Sequence, residues 1–259
     1  MLEADDLIVF SAFILALLVT LYRFDRRGFS ISALLIHLPL LALFALAGAR
    51  LYHVFTPSLS MVARGWTTHY YLTHPLEIVL FSQGGFGALG GWLGLWAGLA
   101  WLAWRDKRGW GALAAASTPG ILIGLAVGRW ADWPNQALYG PPTGEGWGLM
   151  IDPANRLPAY ATVERFHPLF LYESIVIIAW LALWLYLERR IGLSERARGI
   201  LGLGGYAFAR FFLSFLRVDK SMAYEIDINQ LISLMLFALG MMVVLGDYFR
   251  KRKQRSSSA

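Results

Sequence analysis

The 259-residue chain contains no cysteine. That absence excludes disulfide scaffolds, thiolate zinc sites and cysteine nucleophiles. Charge is also scarce, at 15% of residues, while 57% are hydrophobic; a soluble domain is about a quarter charged and about half apolar. The balance argues against a water-soluble globule. It also excludes disorder, which needs few apolar residues and many charges. Several soluble-enzyme signatures are missing. There is no G-x-S-x-G elbow for a serine hydrolase, and no H-E-x-x-H pair or glycine-rich phosphate loop. Internal repeats and heptad runs are lacking too.

What is present is a series of long apolar runs. Crossing ~30 Å of hydrocarbon takes about 20 helical residues. Seven candidate spans meet or approach that length: 7–22, 31–49, 82–104, 111–128, 168–188, 199–216 and 228–248. The first lacks the small-residue cleavage site of a signal peptide and reads as a retained helix. Eleven Trp and eleven Tyr suit the anchoring of two membrane–water interfaces. The third run carries Gly84, Gly85, Gly87, Gly90, Gly91, Gly94 and Gly98, and the fourth Gly120, Gly124 and Gly128. Small residues at such spacing let helix backbones approach closely in lipid. The fold class expected is therefore an all-α integral membrane protein with seven transmembrane helices. Residues 1–259 read as a single membrane-embedded domain with a basic tail at 250–259.

The formal charge of +6 is distributed in a way that fixes topology. Of the 23 Lys and Arg, 15 lie between runs one and two, three and four, five and six, or after run seven. Positive loops stay inside, so this side is cytoplasmic, the N-terminus is outside and the C-terminus inside. No basic cluster is left over to bind nucleic acid. The other eight basic residues are not required by topology. An Arg near the centre of a spanning helix costs roughly 2.5–3.5 kcal/mol, and such residues usually face a protein interior or polar cavity.

Polar residues concentrate at the predicted outer helix ends. The stretches are Gly48–His53, Gly128–Gln136, His167–Glu173 and Arg210–Arg217. On an ideal helix Arg210 and Arg217 fall within ~20° of one face, two turns apart, with Ser214 between them. Guanidinium forks in that arrangement suit a phosphate, because each pairs two oxygens at once. Plainer readings stand beside this one. Arg217 and Arg50 can serve as interfacial anchors, Arg210 can pair with Glu173 for packing, and Arg129 can pair locally with Asp132, leaving Asn135 as a loop cap. His53, His69 and His74 read as exposed loop residues, and His37 as a packed mid-helix residue. His167 with Pro168 opens the fifth helix. The long outer connection, about 129–166, is rich in Gly and Pro, and a loop of this length usually covers something or carries function.

These stretches resemble those of the prolipoprotein diacylglyceryl transferases of bacterial inner membranes. The matching pieces occur in family order: GARLYHV at 48–54, HPLEIVLFSQGGFGALGG at 74–91, GRWADWPNQALYG at 128–140, HPLFLYE at 167–173 and ARFFLSFLR at 209–217. The resemblance covers about 48–245. It implies seven helices, N-terminus outside, in the inner membrane, with the active site at the outer leaflet. It implies transfer of the diacylglyceryl group of phosphatidylglycerol to the thiol of a lipobox cysteine in a preprolipoprotein, with release of glycerol phosphate and no cofactor or metal. Arg210 and Arg217 match the family's paired arginines, Arg129 the arginine opening its signature and Gly140 the glycine closing it. The catalytic candidates are Arg129 and Arg210, implied by the resemblance, and Asp132, which stands outside the family pattern. Those implied for substrate are Arg50, Asn135, Gly140, His167, Tyr172, Glu173 and Arg217.

The chain departs from the family pattern in three places. Leu89 stands where a His is common, Asp132 lies in a changed signature, and Ser214 replaces a common Glu. The segment before the first helix is short. The phosphate grip therefore carries over better than the proton acceptor, for which Asp132, His167, water and the substrate phosphate all remain open. The alternatives are a relative that binds an anionic phospholipid or lipopeptide without this chemistry, and a membrane transferase acting on another lipid or acceptor.

Overall fold

A computed structural model describes residues 3–79, 85–223 and 225–257. Long helices dominate. They are α1 (Ala4–Arg26) and α2 (Ile31–Phe55), then three short helices, α3 (Leu59–Ala63), α4 (Thr68–Thr73) and α5 (Pro75–Val79). Next come α6 (Ala88–Arg105), α7 (Trp110–Gly128), α8 (Leu169–Arg190), α9 (Glu195–Leu213) and α10 (Ile228–Ser257). The described residues also form two small antiparallel ribbons: β1 (Leu149–Met150) with β2 (Arg165–Phe166), and β3 (Met222–Ala223) with β4 (Ile226–Asp227).

Among the described residues, six helices are long and apolar enough to cross a membrane: α1, α2, α8, and the helical stretches Trp110–Asp132, Glu195–Leu216 and Ile228–Lys251. The expected third span differs. The predicted start at 82, together with Gly84 and residues 80–84 of the matching motif, lies outside the described residues. The helix itself begins at Ala88 and is dense in Gly and Trp, so it falls short of the hydropathy of the other six. Half of its 18 residues are buried by neighbouring helices, so it presents little surface that must be apolar.

Glycine sets the helix spacing, as the sequence spacing suggests. A Cβ on Gly48 of α2 would lie 2.4 Å from the Gly90 carbonyl and 2.8 Å from Gly94 Cα of α6. One on Gly120 of α7 would lie 2.4 Å from the Ala16 carbonyl of α1. Backbones meet where side chains are absent, and van der Waals packing holds the pairs. The core between them is built from Leu41, Trp92, Leu99, Leu122, Ile177 and Tyr206. Pro39 and Pro119 sit inside α2 and α7, as membrane helices tolerate when neighbours satisfy the freed carbonyls.

The basic loops gather at one end of the bundle. Arg23 pairs with Glu188 at 2.6 Å, Arg27 pairs with Glu188 and, at 2.7 Å, with Glu195, and Lys251 donates to the Gly192 carbonyl at 2.9 Å. His37 lies near this end, in the second turn of α2, where it contacts Arg105 and bonds the Ala33 carbonyl at 2.6 Å. It is not mid-helix, because α2 runs on from Ile31 to Phe55.

The opposite end carries the long connection. It folds onto its own small core of Tyr139, Ile151 and Phe166, with Val218 packed against it. Gly140 N–H donates to the His167 carbonyl at 2.8 Å and His167 N–H to the Pro141 carbonyl at 3.0 Å, which closes the segment at its base. A Cβ on Gly140 would lie 3.0 Å from His167 Cβ, so the glycine permits that closure.

Candidate active site

Three helices deliver charged groups to one buried point at this end. Arg129 follows the last residue of α7, Glu173 lies in the second turn of α8, and Arg210 lies in the last turn of α9. Their placement is locally enforced. Ser174 Oγ donates to the Ala126 carbonyl at 2.9 Å and accepts from Trp130 Nε1 at 3.3 Å, tying the end of α7 to α8. Tyr206 and Arg210 are four residues apart on α9 and so share a face.

Glu173 is fully buried and central. Its Oε1 is 3.0 Å from Arg129 Nη2 and its Oε2 3.5 Å from Arg210 Nη1. Arg129 Nη2 also donates to Tyr206 Oη at 2.8 Å. Asp132, less buried, lies 3.4 Å from Arg129 Nη1 across the short 3-10 turn Arg129–Asp132. Arg217 approaches the same point closely enough to feel Arg210, Glu173 and Arg129. Burial, and then the like charge of Arg210, pull its guanidinium down to about 10, so it stays charged at neutral pH. Three guanidinium groups thus face two carboxylates. The Nε atoms of Arg210 and Arg217 are buried with no hydrogen-bond partner among the described residues. Buried donors left unpaired are costly, and an anion with several oxygens would satisfy both.

The structure sorts the residues singled out from sequence. Arg129, Arg210, Glu173, Asp132 and Arg217 come together. Arg217 does so without lying on the α9 face as an ideal helix would place it. The helix ends at Leu213, a 3-10 turn covers Ser214–Leu216, and Arg217 is extended. Ser214 does not project between the arginines; its hydroxyl is buried and donates to the Arg210 carbonyl at 2.7 Å.

Arg50 takes a different position. It is buried and donates to the carbonyls of Glu77, Ile78 and Gly85 at 2.5, 3.0 and 3.0 Å, pinning the segment that leads into α6. Asn135 is exposed and donates to Asp5 Oδ2 at 2.9 Å, fastening the connection to the start of α1. His167 Nδ1 and Tyr172 Oη pair with each other at 2.9 Å, with the Trp147 ring edge-on to His167. Neither bonds Arg129 or Arg210 among the described residues.

His53 corrects an expectation. It is in α2 and buried, with Nε2 3.2 Å from Tyr71 Oη, because the short helices α4 and α5 fold back over it. Gly85, at φ +86°, lies so close that a Cβ there would come within 2.5 Å of His53 Nε2. His69 and His74 are exposed, as expected, though His69 is helical. Leu89 is buried in the core.

Sequence reasoning missed Tyr206, whose spacing from Arg210 was the available signal. It also missed Tyr52, which donates to Asn229 Oδ1 at 2.7 Å while lying near Arg210. No group of three or more His, Asp or Glu positioned to hold a metal occurs among the described residues.

Two enclosures adjoin the cluster. An apolar groove of about 560 Å³ runs between α1, α2, α6 and α7, bounded by Ala12, Leu41, Trp92, Leu99, Leu125 and Gly128. Trp92 also touches Tyr206, their rings 5.4 Å apart. On the other side Arg217 lines a polar cavity of about 450 Å³ beneath the long connection.

The family model described as prolipoprotein diacylglyceryl transferase matches residues 6–246. A Streptomyces coelicolor protein named phosphatidylglycerol–prolipoprotein diacylglyceryl transferase 2 is 36% identical over 75% of this chain and 59% of its own length. A Frankia alni protein named phosphatidylglycerol–prolipoprotein diacylglyceryl transferase is also 36% identical, over 85% of this chain and 56% of its own. One of that name from Synechococcus elongatus is 31% identical over 95% of this chain and 83% of its own. The chain therefore spans somewhat under two thirds of the first two relatives and most of the third.

Proposed function

The chain belongs to the prolipoprotein diacylglyceryl transferase family, and on that premise we propose that it moves the diacylglyceryl group of phosphatidylglycerol to the thiol of a lipobox cysteine. The observation that carries this reading is the buried cluster of Arg129, Arg210 and Arg217 around Glu173, with two guanidinium Nε atoms unpartnered. The phosphodiester of the lipid supplies the missing acceptors. The acyl chains take the apolar groove, whose Trp92 wall reaches Tyr206 beside Arg129.

In the reaction the cysteine sulfur attacks the glyceryl carbon of the diacylglyceryl group. The bond from that carbon to the phosphate oxygen breaks, and its electrons stay on the oxygen. Guanidinium groups fixed in a water-poor site stabilise the charge growing there without reorganising. The thiol must first lose its proton, since thiolate is the nucleophile. Asp132, beside Arg129 at the edge of the cluster, is the assigned acceptor. Glu173 is less suited, because both of its oxygens are held in ion pairs.

The seventh span is α6, ~27 Å long at 1.5 Å per residue and shielded by its neighbours. The end bearing the basic loops lies in the cytoplasm, which puts the arginine cluster at the outer leaflet of the inner membrane. Single cysteines at Glu145 and Ser194 test that orientation in a chain without native cysteine. An impermeant thiol reagent on intact cells labels Glu145→Cys and spares Ser194→Cys; the reverse pattern inverts the topology. Transfer of label from phosphatidylglycerol to a lipobox peptide by the purified protein tests the activity. Lipid binding without transfer would favour a binding relative instead, a reading to which the buried, apolar Leu89 lends weight.

A further inference from the structure

The polar cavity beneath the long connection has no part in holding the diacylglyceryl group, and its lining is distinctive. It lies between α3, the 135–139 and 154–158 parts of the connection, and residues 217–219. Its walls bring Arg64, Arg156 and Arg217 together with a single carboxylate, Asp219. Asp219 is already engaged, accepting from Ser60 N–H at 3.0 Å and Ser60 Oγ at 2.7 Å. Arg156 is fixed in the wall by bonds to the Ile151 and Ala161 carbonyls at 2.8 and 3.0 Å. Arg64 is exposed and makes no ion pair among the described residues. Arg217 links the cavity to the arginine cluster. It lines the cavity and also stands within electrostatic reach of Arg210 and Arg129.

We propose that this cavity receives glycerol phosphate as it leaves the reaction, with Arg217 passing the anion from the Arg129–Arg210 cluster to Arg64 and Arg156. The inference rests on the transfer reading above. When the carbon–sulfur bond forms and the carbon–oxygen bond breaks, the phosphodiester becomes a monoester. Its charge rises from one towards two once the thiol proton passes to solvent, because the second phosphate pKa is about 6. The product is then a polyol dianion that cannot follow the acyl chains into an apolar groove without a heavy desolvation cost. Arg217, in the cavity lining, is within electrostatic reach of the cluster, and the lining carries excess positive charge. Asn135 already donates to Asp5, Gln136 to Asp152 and Asn155 to Gln136, which fixes these amides in the lining; their second N–H groups and the Oδ1 atoms of Asn135 and Asn155 can bond the glycerol hydroxyls.

Titration calorimetry of the full chain in detergent micelles, with glycerol 1-phosphate and without lipid or peptide substrate, tests the assignment. The wild type binds, and Arg64→Gln weakens binding by about tenfold, as loss of a hydrogen bond to a charged group should. Arg189→Gln, at the opposite end of the bundle, leaves binding unchanged. Inorganic phosphate binds more weakly, having no hydroxyls for the amides. Absence of wild-type binding, equal binding by Arg64→Gln, or equal affinity for inorganic phosphate overturns the proposal. So does an Arg64→Gln variant that loses affinity for the lipobox peptide alone, since the cavity would then hold polypeptide. Binding is read here without turnover, so failure of this titration and failure of the transfer reading are separately visible.

Discussion

Arg23 and Arg27 share Glu188 at one end of the bundle, and Arg129 and Arg210 share Glu173 at the other. The chemistry is the same, two guanidinium groups on one carboxylate, but the surroundings differ. The first set is 20%, 19% and 10% exposed; in the second, Arg129 is 12%, Arg210 5% and Glu173 1% exposed. Water competes for the first set and screens it, so its pairs stabilise little. Arg210 and Glu173 are desolvated, and their charges are costly unless compensated. The first cluster belongs to the basic loops that gather at one end of the bundle. The second is not called for by topology, and a bound lipid phosphate is the reason proposed for it.

That contrast can be broken by substitution. The largest effect is expected at Glu173. Glu173→Ala strands two buried arginines, and removing one partner of such a pair costs about 3–5 kcal/mol. Thermal unfolding in micelles reads the loss, and added phosphatidylglycerol should restore part of it; an unshifted transition would show that the cluster is not desolvated. Next comes Arg129→Ala. Removing one fixed donor to developing charge typically costs about 10²–10³ in turnover, so transfer falls by that factor while the fold persists. Wild-type rates in this variant would remove Arg129 from the site.

A smaller effect is expected from Asp132→Asn, which keeps shape and removes a proton acceptor. Transfer should fall at least about tenfold, the low end of general-base contributions being about 10², with lipid binding retained. Full activity would leave Asp132 as a residue that only orients Arg129. The smallest effect belongs to the other end. Arg27→Gln should change stability by no more than about 1 kcal/mol and transfer not at all; a large loss of transfer there would erase the distinction between the two ends.

The sequence made much of this visible, for identifiable reasons. Apolar run length and alternating basic loops are local signals, and they located the long helices and brought Arg23, Arg105 and Arg198 to one end. The grouping of Arg129, Glu173 and Arg210 was legible because topology did not need those charges. Other features depend on tertiary turns that leave no local trace. Arg217 leaves the helix through a 3-10 turn, His53 is covered by α4, and Arg50 is claimed by three carbonyls of the segment before α6. Asn135 sits inside a matched motif yet bonds Asp5, so motif membership alone did not place it in the cluster. α6 was legible as a helix but not its low hydropathy, which its packing among neighbours permits.

The central claim is that the buried arginines grip a lipid phosphate by their forked geometry. Binding of short-chain phosphatidylglycerol to the purified protein, measured for the wild type, Arg210→Lys and Arg27→Gln, tests it most directly. Lysine keeps the charge at 210 but loses the planar pair of donors. The account predicts that Arg210→Lys loses affinity by about tenfold or more, one charge-assisted hydrogen bond being worth about 1.5–3 kcal/mol, while Arg27→Gln binds as the wild type does. Undiminished binding by Arg210→Lys would contradict it.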